Sequence, residues 1–211
     1  MQILGRDILI SLIVIFTIVY TNIQRKNEKG ISLYNIGIIL LSLVMVIIFS
    51  LTGISPISGF NIDIRIDEIS FTPFKGIIEM LQGGLTLYTI INIIGNIIMF
   101  MPMGFLLPLL FSNLDCLKKT VAIGFGTSLL IEFTQLFLIR STDIDDLILN
   151  TLGTMLGYLV FLAFKKLLPR LAEKFSIESI DKENKLMLWS CILVPYMVTI
   201  MAGFYDRYIL L

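Results

Sequence analysis

Nine polar residues carry most of the chemical interest of this chain: Asn92, Asn96, Glu132, Gln135, Arg140, Asp143, Asp145, Asp146 and Asn150. They lie inside, or at the mouth of, stretches that are otherwise apolar. The run RSTDIDDLILNTLGTMLGY, Arg140 to Tyr158, opens with one cation and three carboxylates and then turns almost wholly hydrophobic. Glu132 with Asp143 or Asp146 is a candidate general acid and base, because two carboxylates in different environments can split their pKa values and divide those roles. The Asp cluster also has the oxygen chemistry that suits Mg²⁺ or Ca²⁺. Against catalysis, no activated nucleophile stands out, and STDIDD is not the GxGD signature of aspartyl intramembrane proteases. The expectation is a binding site rather than a catalytic one, with no metal and no cofactor.

Composition narrows the chemistry further. The chain has no histidine, so the usual zinc constellations and the Ser-His-Asp and Cys-His nucleophile systems are excluded. Its two cysteines, Cys116 and Cys191, are too far apart in sequence for a CxxC pair. The formal net charge of zero gives no sign of a nucleic-acid partner.

The elements that position these residues are set by the solvent. Of 211 residues, 56% are hydrophobic and 15% charged, and the mean hydropathy is +0.92. Soluble domains carry about 25% charged residues. The chain is therefore expected to be an all-α, polytopic membrane helix bundle, read as one domain over residues 1–211. Six spans are expected: Ile8–Ile23, Ile31–Ile54, Leu87–Phe111, Thr120–Ile139, Leu147–Phe164 and Leu186–Phe204. Each approaches or exceeds the ~20 apolar residues that cross ~30 Å of hydrocarbon. In TPFKGIIEML, Thr72 is placed to cap a helix with Pro73 at its first position. Phe74, Ile77, Ile78 and Leu81 make one apolar stripe, so a short helix over 73–82 is expected to lie on the membrane surface.

Basic residues set the orientation. Arg25, Lys26 and Lys29 share one side with Lys118, Lys119 and the basic segment 165–185, which holds Lys165, Lys166, Arg170, Lys174, Lys182 and Lys185. The opposite side holds Arg6, Arg65, Lys75, Arg140 and Arg207. Cytoplasmic loops carry the excess of Lys and Arg. Both termini and the 140–146 loop are thus expected outside the cell, in a cytoplasmic membrane, with the 165–185 segment against anionic lipid headgroups inside.

On that topology the polar residues fall at one depth. Asn150 lies roughly 6 Å below Asp146, Gln135 and Glu132 about 7–8 and 12 Å below Arg140, and Asn92 and Asn96 about 7–8 and 13 Å deep. Asn92 and Asn96 are spaced i, i+4, Glu132 and Gln135 i, i+3, and Asp143, Asp146 and Asn150 i, i+3, i+7, so each set shares a helix face. A carboxylate facing lipid costs about 2.5–3.5 kcal/mol on insertion scales. Glu132 should therefore point inward, and Arg140 is placed to pair with Asp143 or Asp146. The blander alternative is that these groups only tie helices together. Gly95, Gly104, Gly153 and Gly157 are small residues suited to helix packing, and Pro102 should kink its span.

NIIGNIIMFMPMGFLLPLLF followed by GFGTSLLIEFTQLFLIRSTDIDDLILNTLGTMLGYLVF resembles the VanZ-like family of bacterial membrane proteins. The resemblance rests on Asn92, Gly95, Asn96, Phe100, Pro102, Gly104 and Phe105; on Glu132 and Gln135; and on Arg140, Asp143, Asp145, Asp146, Asn150, Gly153, Gly157 and Tyr158. It covers about residues 35–165 and leaves the spans near 8–23 and 186–204 outside. It implies a role in resistance to glycopeptide antibiotics, chiefly teicoplanin, or in cell-envelope homeostasis. The expected partners are membrane lipid and a lipid-linked cell-wall precursor or the lipoglycopeptide itself. The competing expectation is an intramembrane enzyme acting on a lipid-linked envelope substrate.

Overall fold

A computed structural model describes residues 13, 15, 16, 32–54, 72–84, 86–138, 143–176 and 182–210. The expected first span falls almost entirely outside them. So does Arg140, and with it the expected pairing to Asp143 or Asp146.

The described residues form seven α-helices and no strand: α1 Leu33–Leu51, α2 Lys75–Gln82, α3 Leu87–Leu110, α4 Leu117–Gln135, α5 Ile144–Leu167, α6 Pro169–Phe175 and α7 Lys182–Tyr205. Their starts follow from local capping. The Ser32 side chain accepts the N–H of Asn35, and Thr86 accepts that of Thr89, each satisfying a donor that the first helical turn leaves open. Asp143 caps α5 by accepting the Asp145 N–H at 3.0 Å. That helix carries Asp145 and Asp146 in its first turn and Lys165 and Lys166 in its last, as the helix dipole favours. Pro169 opens α6, where its missing N–H costs nothing.

Four helices are long and apolar enough to cross a membrane: Leu33–Leu51, Thr89–Leu110, Ile144–Leu167 and Lys185–Tyr208. They coincide with the second, third, fifth and sixth expected spans. The fourth expected span corresponds to α4, which stops at Gln135 and carries Lys118, Lys119 and Glu132 within it. Among the described residues, therefore, four of the expected spans stand as long apolar helices, the fourth expected span is not among them, and the first lies outside the described residues. Large apolar side chains face outward along these helices, among them Ile94, Ile98, Leu129, Phe133, Met197 and Met201. A protein surface so apolar is one that faces lipid or another protein.

The most extensive packing joins α3 to α5, and α1, α4 and α7 complete the assembly around them. Glycine makes the α3–α5 approach possible. A Cβ at Gly104 would lie 2.1 Å from the Thr154 carbonyl oxygen, one at Gly153 2.2 Å from that of Ile97, and one at Gly157 2.1 Å from that of Met101. Backbone thus meets backbone along this seam. Helix α3 runs through Pro102 and Pro108 as one element. On the far side of α3 the core is apolar, with Phe49, Phe100, Met103, Leu107 and Cys191 essentially sealed from solvent.

Candidate functional site

Helices α3 and α5 begin, and α1 and α4 end, at the same end of the assembly. There they enclose a cavity of about 340 Å³. Asn92, Gly95 and Asn96 from α3, Glu132 and Gln135 from α4, and Asp146 and Asn150 from α5 all line it. Leu51 and Thr52, at the end of α1, close a further wall. Six of the nine polar residues singled out by spacing thus face one space.

Their bonds cross from helix to helix. Asn96 Nδ2 donates to Asp146 Oδ1 at 2.6 Å, linking α3 to α5. Asn150 Nδ2 donates to Ser128 Oγ at 2.9 Å, linking α5 to α4. Gln135 Nε2 donates to the Thr52 carbonyl at 2.8 Å, linking α4 to the end of α1. Glu132 is 5% exposed, and its Oε2 accepts the Asp143 N–H at 3.1 Å. The glutamate therefore points inward, away from lipid.

Two groups in the cavity wall are left with an open acceptor. Gln135 and Asn150 are 3% and 1% exposed, yet neither Gln135 Oε1 nor Asn150 Oδ1 has a hydrogen-bond partner. For Gln135 the orientation is fixed by chemistry, because a backbone carbonyl only accepts and so must meet the NH₂ end of the amide. Buried polar atoms without partners are uncommon and costly, which makes two in one cavity wall informative.

The three aspartates expected to act together diverge. Asp146 faces the cavity. Asp143 sits at the N-cap of α5; burial pushes its carboxyl above the usual range, opposed by the hydrogen bond from the Asp145 N–H. Asp145 turns the other way and caps α2: its Oδ1 accepts the Phe74 N–H at 2.5 Å and its Oδ2 the Ile77 N–H at 3.0 Å. This corrects the expected start of that helix. Thr72 and Pro73 precede it, Phe74 adopts a left-handed φ of 65°, and the helix begins at Lys75 with a cap supplied from another part of the chain. Among the described residues no three His, Cys, Asp or Glu side chains come together as a metal site.

Gly95 also departs from expectation. It was grouped with the packing glycines, but a Cβ there would meet nothing within 4 Å. The helix face that carries it opens on the cavity rather than on a neighbour. Conversely, Ser128, Thr52 and Gly124 belong to the site's construction without having been singled out. A Cβ at Gly124 would lie 2.3 Å from Thr154 Oγ1, so this glycine sets how closely α4 approaches α5. Ser128 was recoverable, since it lies one turn before Glu132 on the same face; Thr52 acts through its backbone and left no side-chain signal.

The VanZ/LLP1 family model matches residues 36–165, more than half of the chain and the whole of the cavity-forming region. The chain belongs to the VanZ/LLP1 family. With its four long apolar helices, it is a VanZ-like membrane protein. No curated protein and no solved structure matches it. In this VanZ/LLP1 chain the matched region takes in α3 and α4 whole and nearly all of α1 and α5, the four helices that wall the cavity; α6 and α7 lie beyond it.

Proposed function

We propose that this protein is a non-enzymatic membrane factor whose polar cavity binds an amphiphile at the outer leaflet, in a role tied to glycopeptide (teicoplanin) resistance or envelope homeostasis. The observation that carries this reading is the convergence on one cavity of polar groups from three helices, with Glu132, Gln135 and Asn150 buried and Asn92, Asn96 and Asp146 half-buried. Its volume falls within the ~300–1,000 Å³ typical of small-ligand pockets. The excess of Lys and Arg on α4, α5 and α6 at the opposite end of the molecule supports placing the cavity at the extracellular side. A lipid-linked wall precursor and a lipoglycopeptide both present a polar head at that depth with an apolar chain below it. Deleting the protein, or introducing Glu132→Ala or Asp146→Ala at unchanged protein level, should alter teicoplanin sensitivity. Wild-type sensitivity in all three strains would count decisively against the reading.

A second reading is favoured by one observation, that two carboxylates, Glu132 and Asp146, line the same cavity. In it they act as general acid and base on a lipid-linked envelope substrate. Product formation from such a substrate by the purified protein, abolished in Glu132→Gln, would select it over simple binding.

A further inference from the structure

An apolar groove follows the cavity down α3. It holds about 320 Å³ between α3 and α5, and every described residue that lines it is apolar: Ile98, Met101, Pro102 and Phe105 on α3, Gly157 and Val160 on α5. The same helix gives Ile91 and Gly95 to the cavity. Ile91, Gly95, Ile98, Pro102 and Phe105 are spaced i, i+4, i+7, i+11 and i+14, so they make one stripe that runs from cavity to groove. The stripe faces outward, with Ile91 and Ile98 61% and 57% exposed. It is low at Gly95, where a Cβ would meet nothing within 4 Å. The floor at Gly157 is backbone, since a Cβ there would lie 2.1 Å from the Met101 carbonyl oxygen.

Length and depth select an occupant. From Gly95 to Phe105 the helix rises about 15 Å, half of the ~30 Å hydrocarbon core and the reach of one acyl chain. A head group drawn into the cavity lies below the membrane surface, so it carries its tail deeper than the tails of the surrounding lipids. Such a tail needs a place of its own past the midplane, and the groove begins about 5 Å below Gly95, at Ile98. A helix from a second copy fits less well. Close helix pairing in lipid uses small residues on the facing surface, whereas Ile98, Phe105 and Val160 stand along this one.

We propose that the α3–α5 groove receives one acyl chain of an amphiphile whose head occupies the cavity, the chain passing over Gly95 and Ile98. This rests on the amphiphile-binding reading above and adds where the tail lies.

The test uses the full-length protein in phosphatidylcholine nanodiscs. Three photoreactive probes share a dodecyl tail with a diazirine at its middle and differ in the head: glycerol, phosphate or trimethylammonium. Saturable binding is read by native mass spectrometry, and adducts are mapped by peptide mass spectrometry with and without an excess of the same amphiphile lacking the diazirine. At least one probe should label residues 98–105 or 157–160, and its competitor should remove that label. Val160→Trp fills the groove from a half-exposed position, so it should fold, and it should cut the competed label about tenfold, the lower end of what overpacking costs. Met201→Trp, exposed on α7 away from the groove, should leave the label unchanged. Saturable binding with label spread over all the outward faces, or undiminished in Val160→Trp, would overturn the groove inference and leave the amphiphile reading standing. Val160→Cys chains that form disulfide-linked pairs in native membranes, in a Cys116→Ser background, would give the groove to a second copy and overturn the inference. Saturable binding of none of the three probes would overturn both.

Discussion

Asp145 caps a helix that begins 70 residues before it: its carboxylate accepts the backbone N–H of Phe74 at 2.5 Å and that of Ile77 at 3.0 Å. The carboxylate is 3% exposed, and Gly76 lets it come close, since a Cβ there would lie 3.1 Å from Asp145 Oδ2. The short helix α2 is too brief to be stable alone. It is held to the first turn of α5 by these bonds, beside the cavity.

Removing that carboxylate should therefore release α2 before it unfolds the rest. Asp145→Ala is expected to cost about 1–2 kcal/mol, the upper part of the range for lost helix caps. The loss should be local. Hydrogen exchange of the amides of 75–82 should accelerate while those of α3 and α5 stay protected. Uniform acceleration across all helices would show that Asp145 supports the whole fold instead.

The glycines should divide into two classes. Gly104→Ala, Gly153→Ala and Gly157→Ala each push a methyl against a backbone carbonyl at 2.1–2.2 Å, a contact that no rotamer change relieves. Each should destabilise by about 1–3 kcal/mol or more, as overpacking does. Gly95→Ala meets nothing within 4 Å and should stabilise by about 0.5–1 kcal/mol through helix propensity. Thermal unfolding in mild detergent measures both. A Gly95→Ala protein as damaged as Gly153→Ala would contradict the cavity-facing placement of residue 95.

These contrasts mark how far the amino-acid sequence could be read. Apolar length and helical spacing are local signals, so α1, α3, α5 and α7 were legible. So was the convergence of Asn92, Asn96, Glu132, Gln135, Asp146 and Asn150, since a polar group in an apolar span must turn inward. The fate of Asp145 was not legible. It lies between two aspartates with different roles, and its partners are backbone N–H groups, which carry no residue signature. The Thr52 carbonyl held by Gln135 was hidden for the same reason. Gly95 and Gly104 look alike in the chain, and only the rotation of α3 relative to α5 separates a cavity wall from a seam. Thr72-Pro73 reads as a helix start by local rules; the long-range cap from Asp145 instead sustains the left-handed turn at Phe74.

Asp143 makes stability depend on pH. Burial raises its carboxyl above the ordinary value of 3.8, with the Asp145 N–H bond opposing and the Asp145 and Glu79 charges adding to the rise. A raised folded pKa means the folded protein holds this proton more tightly than the unfolded chain. The stabilisation is thus full below the unfolded pKa and is lost as pH rises through the folded one. Asp143→Asn keeps an oxygen to cap α5 but removes the titration. It should be more stable than wild type near neutrality and show a flatter profile through the acid range. An unchanged slope in pH-dependent unfolding would assign the effect to another group.

The orientation proposed for the chain rests on where its cations gather. Lys118 and Lys119 begin α4, Lys165 and Lys166 end α5, and Arg170 and Lys174 lie on α6, all at the end remote from the cavity. Asp115 offsets part of this charge through its ion pair with Lys165, but that pair is half exposed and so worth at most about 1 kcal/mol. The remaining cations favour the cytoplasmic face. Single cysteines report it directly, in a Cys116→Ser background that leaves only the buried Cys191. Gln82→Cys, on exposed α2, should react with a membrane-impermeant maleimide on intact cells, whereas Lys174→Cys should react only after lysis. The reverse pattern would put the cavity inside the cell, out of reach of any ligand in the outer leaflet, and would remove the basis for a role against extracellular glycopeptides.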